Sequence, residues 1–518
     1  MSRINTNVQS LIAQRVLGQN NKALSTSLDR LSTGLRINRG SDDPAGLIAS
    51  ENLRAEKTAI SSAISNSERA AQVTSIAEGG LTEVAGLLNE LEGLVTGTAN
   101  DAGLSLEEKK ANQLQIDSIL QTIDRVSSAT SFQGTRLLNG NFDYATTGVN
   151  AEVDSFKVNG AKLDFGGTLD VDVVVTQSAQ VGGFFLSFGA ASIDLGAGTN
   201  EGSSFVFEIA GSVGNRELSF ASGTTLTSIA SAVNTFSDIT GVEATVSGTG
   251  IRLDSTEFGS DEFVSVKVID DGTINAGDGL HNFAATDTTT ANTTVAAAFN
   301  ATAASDGLTD AGQDVGATVN GIQATTKGSK ASINTDFLSV EIDLTTAGTA
   351  TNSQNLGSIS AFTITGGGAD FQLGSNVDIA GKVSLGIQNV AARTIGALTH
   401  NLSGTDTKVA LSDLGNGSNL NVVDGDLSGA QKVVSRAIKD VSSLRGRLGA
   451  FQKNTVGATI RSLGVSLENT TAAESAVRDA DFAKETASLT RAQILVSSTT
   501  NILGIANSQP QNVLSLLG

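Results

Sequence analysis

Apolar residues recur at helical spacing along both ends of this chain, and the long middle stretch loses that period. From Arg478 onward, Phe482, Leu489, Val496 and Leu503 fall seven apart, with Ala492, Thr499, Ala506 and Val513 as a second seven-residue series beside them. Two adjacent series draw a stripe down one side of a helix that lies against other helices. Pro510 is expected to stop or kink that helix, after which the chain closes on Val513-Leu514-Ser515-Leu516-Leu517. An apolar end on a polar chain needs a partner to cover it. At the opposite end Leu17, Leu24, Leu28, Leu31 and Leu35 keep the three-four spacing of a heptad seam, extended by Ile4, Val8 and Leu11 after a phase slip.

Stop and start signals divide the first helical block. Thr33-Gly34 reads as a C-cap, and residues 35–41 as an irregular connector. Asp42-Asp43-Pro44-Ala45-Gly46 then places an Asp N-cap before Pro at the first helical position. The next helix is expected from Pro44 to Ala99, roughly 80 Å at 1.5 Å per residue. Asn100-Asp101-Ala102-Gly103 breaks it, and a third helix follows from Ser105 with Ile116, Ile119, Ile123 and Val126 on one face. Beyond Phe132-Gln133-Gly134 the texture changes, and Asn139-Gly140 reads as a hairpin turn. The runs Phe184–Phe188, Phe205–Ile209 and Phe263–Ile269 alternate as strands do, interrupted by one helix carrying Leu226, Ile229, Ala230 and Val233. Phe205–Ile269 and Val315–Leu344 share a turn–strand–turn–strand style, the second turning at Asn320-Gly321. Helical period returns near Leu427 with Val434, Ala437, Val441, Leu444, Leu448 and Phe451. It continues through Leu463, Leu467, Thr470 and Val477, almost unbroken, into the last helix.

The expected fold is therefore a multi-domain α + β chain: a long antiparallel α-helical coiled-coil core from both termini with a β-rich outer insert. Residues 1–43 plus 476–518 form one expected domain, and 44–144 plus 426–475 a second helical layer with a β-hairpin. Residues 145–425 form the insert, expected as two subdomains. Charge follows the same borders. The net charge of −20 lies wholly in 145–425, which holds 10 Lys+Arg against 30 Asp+Glu, while the flanks balance at 23 and 23. Of 20 Phe, 16 lie in that stretch. An acidic middle argues against nucleic-acid binding, which needs basic surface. No apolar run reaches the ~20 residues of a membrane span. The start lacks the charged-then-apolar layout of a cleaved secretory signal. Cys is absent, which removes disulfide and thiol chemistry.

Candidate chemistry adds little. His281 and His400 have no carboxylate at ligand spacing and read as exposed loop residues. Asp270-Asp271-Gly272-Thr273-Ile274-Asn275-Ala276-Gly277-Asp278 is oxygen-rich but does not fit an EF-hand, and reads as a solvated turn. The His-Glu-x-x-His pattern of a zinc protease, a phosphate loop and a nucleophile elbow are absent. No enzyme activity and no cofactor are expected.

One pair of end helices with solvent on every other side is marginal, because burying a Leu yields at most about 1.5–3 kcal/mol while ordering a residue costs about 1–2 kcal/mol. Many copies around an axis would cover one another's stripes, and a head-to-tail contact that does not close on itself makes a helical filament.

The terminal sequences resemble bacterial flagellin. Ile4-Asn5-Thr6-Asn7, Arg30-Leu31-Ser32-Thr33-Gly34-Leu35-Arg36-Ile37-Asn38 and Asp42-Asp43-Pro44-Ala45-Gly46 are similar to the family's N-terminal signature. Ile123-Asp124-Arg125-Val126 followed by Phe132-Gln133-Gly134 resembles the end of its first block. Asp479-Ala480-Asp481-Phe482-Ala483, Ala492-Gln493-Ile494-Leu495 and Pro510–Leu517 resemble the C-terminal block. The resemblance covers about 1–140 and 430–518. Leu226–Ile251 and Gly312–Leu344 are similar to a repeat shared by hook-associated proteins and some flagellin outer domains.

The resemblance implies a filament subunit that polymerises with itself, lines a narrow channel with its two ends and projects the insert outward. It implies unfolded export through the flagellar type III secretion apparatus, an export chaperone on the C-terminal helix region, hook-associated and cap proteins as partners, and an extracellular location. Subunit packing is expected from Leu17, Leu24, Leu28, Leu31, Leu35, Phe482, Leu489, Val496, Leu503, Val513, Leu514, Leu516 and Leu517. Arg36, Asn38, Asp42, Asp43 and Pro44 are expected to connect the helical layers. Flagellins detected by Toll-like receptor 5 carry an arginine where this chain has Glu90, with Glu92 close by, so weak receptor activation is expected. A hook–filament junction protein and a surface adhesin using the outer lobe are the alternative readings.

Overall fold

The structure is a computed structural model that describes residues 6–164, 166–195, 204–274, 279–284, 287–345, 354–402 and 405–517. Within those stretches it describes every side chain but those at 101, 283, 284, 287–294, 401, 405, 406 and 510–517. The chain divides into two compact units, one of residues 1–75, 371–382 and 446–518, the other of 76–370 and 383–445.

The first unit is built on helices. Helix α1 (Val8–Thr33) opens on Asn7, whose side chain accepts the Ser10 N–H, and closes on Gly34 in the left-handed region at φ 73°, its N–H bonded to Arg30. Helix α2 (Pro44–Thr98) starts where expected: the Asp43 carboxylate accepts the Gly46 N–H at 2.9 Å. At 55 residues it contributes to both units. The C-terminal helices of the first unit are not one continuous rod. A π-helical turn, Phe451–Val456, adds a residue to the turn and shifts the stripe's phase. The chain then breaks at Asp479–Asp481, where Asp481 accepts the N–H groups of Ala483 and Lys484 and so starts the last helix. A stripe of apolar positions carries no signal for either event.

Pro510 neither stops the last helix, which runs Phe482–Leu517, nor leaves a carbonyl stranded. A proline has no N–H for the carbonyl four residues earlier, here that of Ala506. The Asn7 Nδ2 from the other end of the chain donates to that carbonyl at 2.7 Å. The missing bond is replaced from outside the helix.

The second unit combines helices with two β cores. Helix α3 (Leu106–Ala129) opens with a capping box between Ser105 and Glu108, and presents Ile116, Ile119, Leu120 and Ile123 inward. Next comes a short hairpin pairing Ser131–Phe132 with Thr135–Arg136. Its turn is Gln133-Gly134, both at positive φ, rather than the expected Asn139-Gly140. There Asn139 folds its side chain onto the Asn141 N–H, and Leu137 and Leu138 just before it are both buried, which rules out strand alternation.

The first β core stacks two antiparallel sheets. One pairs 322–323, 316–319, 169–177, 357–367 and 144–147 in that order. The other pairs 325–327, 330–334, 338–344 and 153–161. Asn320 and Gly321 both take positive φ in the expected turn. The second β core has five strands, 287–298, 279–284, 183–187, 250–255 and 242–247, and four more, 308–311, 263–270, 204–211 and 215–221. Helix α4 (Leu226–Thr235) buries Leu226, Ile229, Ala230 and Val233 in that core, which centres on Phe188, Phe205, Phe207 and Phe299. Two short helices, α5 (Ser237–Thr240) and α6 (Thr302–Asp306), cap its edges. The second core is inserted between strands 169–177 and 316–319 of the first. The outgoing and returning chains bridge each other at Gln180 and Gln313.

The remaining helices are α7 (Leu427–Ala450), α8 (Gly457–Arg478) and α9 (Phe482–Leu517). In α7, Val434, Ala437, Val441, Leu444 and Leu448 are all buried.

Candidate subunit interface

Helices α1 and α9 lie against each other antiparallel. Near one end Asn7 reaches the Ala506 carbonyl and the Ser10 hydroxyl reaches Asn507 at 2.7 Å. Midway Asn20 faces the Thr499 hydroxyl, and farther along Arg30 lies 3.9 Å from Glu485. At the far end Arg36 N–H donates to the Arg478 carbonyl and Ala480 N–H to that of Gly34, forming an isolated bridge of Leu35 with Asp479.

The surface between the two helices is made of small and polar side chains. Ser10, Ala13, Ser27, Ala492, Thr499 and Ala506 are buried, the last three from the minor seven-residue series on α9. Leu17, Leu24, Leu31, Leu489, Val496 and Leu503 are half-buried at its flanks. Several large aliphatics stay exposed: Leu11 is 63% exposed, Ile494 64%, and Ile505, on the rim of a groove between the helices, 63%. Leu28 and Phe482, expected to pack subunits, also stand outside the pair as exposed residues. Between the helices opens a groove of about 350 Å³, lined by Ile12, Ala13, Val16, Ile502, Ile505 and Ala506 among others. Val513, Leu514, Leu516 and Leu517 lie on the helical span, but their side chains fall outside the described residues.

Small side chains let two helices approach closely while burying little apolar area. The larger gain, about 1.5–3 kcal/mol for each Leu or Ile fully covered, is left on the outside. The pair is therefore an incomplete core whose missing layer must come from elsewhere.

The connector is tied to the same unit by charge and hydrogen bonds. Asp42 accepts the N–H groups of Asn38 and Arg39 at 3.1 and 2.9 Å, which holds its carboxyl below the usual range. Asn38 Nδ2 donates to the Thr33 hydroxyl at 2.7 Å, and Arg36 donates to the Val477 carbonyl and sits 3.7 Å from Asp43. Ile37 between them is buried. Farther along, Glu51 pairs with Arg478 at 3.2 Å and Lys57 with Glu474 at 2.6 Å. Sequence reasoning named the connector residues but missed the polar partners across the pair, Asn7, Ser10 and Asn20. The repeat of Ala492, Thr499 and Ala506 was the signal that marked the inner face.

The histidines differ from expectation. Both lie in strands rather than loops, half-buried, and His400 sits 2.6 Å from Asp426, a carboxylate 26 residues away that no local spacing reveals. Asp426 also accepts the Ser428 and Gly429 N–H groups, and with His400 these bonds outweigh its partial burial and lower its pKa. At the expected solvated turn, Asp270 and Asp271 accept the N–H groups of Gly272 and Thr273, while residues 275–278 lie outside the described residues. On α2, Leu88 and Leu91 are fully buried, and Glu90 between them is exposed.

Known proteins share this sequence pattern from end to end. Residues 4–143 match the bacterial flagellin N-terminal helical region, 431–517 the bacterial flagellin C-terminal helical region, and 204–257 the flagellin hook IN motif. That last span includes Leu226–Ile251. A flagellin of Salmonella rubislaw is 30% identical over 545 residues, covering 99% of each chain. Flagellin A of Helicobacter pylori is 27% identical and a flagellin of Aquifex aeolicus 25%, each again covering at least 99% of both chains.

Proposed function

This chain belongs to the bacterial flagellin family and is a structural subunit of the flagellar filament, not an enzyme, and on that premise we propose that the α1–α9 pair is its polymerisation element. The observation that carries the proposal is the inversion of side-chain size across that pair: alanine, serine and threonine inside, leucine and isoleucine outside. A neighbouring copy presents the same aliphatic surface and covers it. Leu28 and Phe482 then pack between subunits, together with the flanking Leu17, Leu24, Leu31, Leu35, Leu489, Val496 and Leu503. Val513, Leu514, Leu516 and Leu517 extend that contact to the chain end.

In this reading residues 1–43 with 476–518 make the filament core and 44–144 with 426–475 a second layer. The acidic 145–425 projects outward, with Arg36, Asn38, Asp42, Asp43 and Pro44 joining the two helical layers. The subunit leaves the cell unfolded through the flagellar type III apparatus, escorted by a chaperone on its C-terminal helix region. It meets hook-associated and cap proteins at the filament ends and functions outside the cell. Exposed Glu90 puts negative charge on the α2 surface where receptor-activating flagellins carry arginine, which supports weak Toll-like receptor 5 activation. A cell reporter assay responding at full potency to the pure protein would refute that last reading.

Hydrogen exchange tests the main proposal. In dilute monomer α1 and α9 should exchange within the fastest class of helical amides, and in filaments seen by electron microscopy they should be protected. Full protection of both helices in the monomer overturns it.

A further inference from the structure

We propose that the hairpin tip at residues 374–381 is a second contact between copies of this chain, an apolar knob seated on a neighbouring subunit. This rests on the filament reading and extends it to a segment of the β-rich region that the terminal helices do not include.

The segment 371–382 clusters with the terminal helices rather than with the strands on either side of it. It is the end of a two-stranded ribbon, Ala369–Gln372 with Lys382–Leu385. At its root the Phe371 ring lies 5.9 Å from that of Phe451, the first residue of the π-helical turn, and Leu373 is buried. The tip is closed by its own backbone. The N–H groups of Leu373 and Gly374 both donate to the Gly381 carbonyl at 2.9 Å, and Asp378 accepts the Gly381 N–H at 2.6 Å. The Gln372 amide donates to the Asn376 carbonyl. Gly374 and Gly381 meet so closely that a Cβ on Gly374 would lie 2.7 Å from the Gly381 Cα.

This well-tied loop holds Val377 94% exposed, with Ile379 also exposed beside it. A single exposed aliphatic is ordinary. A loop already ordered around one is preorganised, since the entropy of fixing it is not charged to binding. Asp378 between them is exposed too, and its carboxylate, held by the Gly381 N–H, fixes the loop that presents the apolar pair.

The chemistry fits a second copy. In a homopolymer the surroundings of the helical unit are other copies of that unit, so any feature anchored to it meets this same chain at high local concentration. The hairpin is anchored there through Phe371.

The chain contains no cysteine, so Val377→Cys provides a single thiol for a benzophenone maleimide. Irradiated filaments should give covalent dimers, and dilute monomer none. In parallel, Val377→Asp with Ile379→Asp should raise the critical concentration for assembly about tenfold, the scale of one lost aliphatic contact, without moving monomer melting. Filaments that form with no inter-chain product, or an unchanged critical concentration, overturn the hairpin contact alone. Failure of the unmodified chain to form filaments counts against the filament reading instead.

Discussion

The helices α1 and α9 and the helices of the second unit carry the same kind of apolar stripe with opposite outcomes. In the second unit Leu81, Val84, Leu88 and Leu91 of α2, Ile116 and Ile123 of α3, and Val434 and Ala437 of α7 are all fully buried within one molecule. In the α1–α9 pair Leu11, Ile494 and Ile505 remain in water. Periodicity announces that a helix has a face to cover, and the number of neighbouring elements decides whether the cover is intramolecular. Three helices and a β layer suffice in one case; two helices do not in the other.

Substitutions should separate the two regions. The largest effect is expected for Leu11→Asp with Ile505→Asp: assembly is abolished, as read by sedimentation, while monomer melting stays where it was. Loss of monomer stability would instead place those side chains in a monomer core. Leu88→Ala should do the reverse, lowering unfolding free energy by about 2–5 kcal/mol in denaturant titrations, as expected for a cavity in a closed core.

The β cores should respond to acid in the unusual direction. Asp254 is buried with one oxygen unpartnered, and burial raises its pKa to about 6 despite Arg252 beside it. A folded-state value above the unfolded 3.8 means the native state takes the proton more readily. This group therefore adds stability as pH falls through about 6, complete below 3.8, and loses it as pH rises. Glu257, Asp310 and Asp343 are raised by burial too and act in the same direction. Asp254→Asn should remove roughly 1.4 kcal/mol of that pH dependence between pH 5 and pH 7.5, measured by melting the protein at the two values. A flat difference between the two proteins would show that Asp254 ionises freely in the folded state.

Smaller effects should follow at the helix ends. Asn7→Leu strands the Ala506 carbonyl left open by Pro510 and should cost about 1–3 kcal/mol locally. In filaments, hydrogen exchange should detect it as faster opening beyond Ala506, with α7 unchanged. Ser105→Ala breaks the capping box of α3 and should cost about 1 kcal/mol in denaturant titration.

Helices were legible because their period, the Asp cap before Pro44, the start at Ser105 and the glycine stop at Gly34 all agree. What escaped was nonlocal. Pro510 stays helical because a residue some five hundred positions earlier completes its hydrogen bonding. His400 meets Asp426 through a fold, not a spacing. The β strands showed alternation, but their order did not follow. Register there depends on pairs such as Asp172 with Asn320, whose N–H and side-chain bonds join residues from opposite sides of an inserted core. On the interface, the leucine series drew attention to large side chains, whereas close approach of α1 and α9 is set by the alanine and threonine series next to it.

The bridge between Gln180 and Gln313 makes the second β core a cassette. Its incoming and outgoing strands lie side by side, and beyond that junction it touches the rest of its unit at a few places, Phe258 against the first core, Asp261 with Lys327 and Asp238 with Lys432. A shorter, longer or differently folded module could be plugged in at that socket at little expense to the host sheet. Exchanging the whole module would forfeit those few contacts and leave the pairing of strands 169–177 and 316–319 in place.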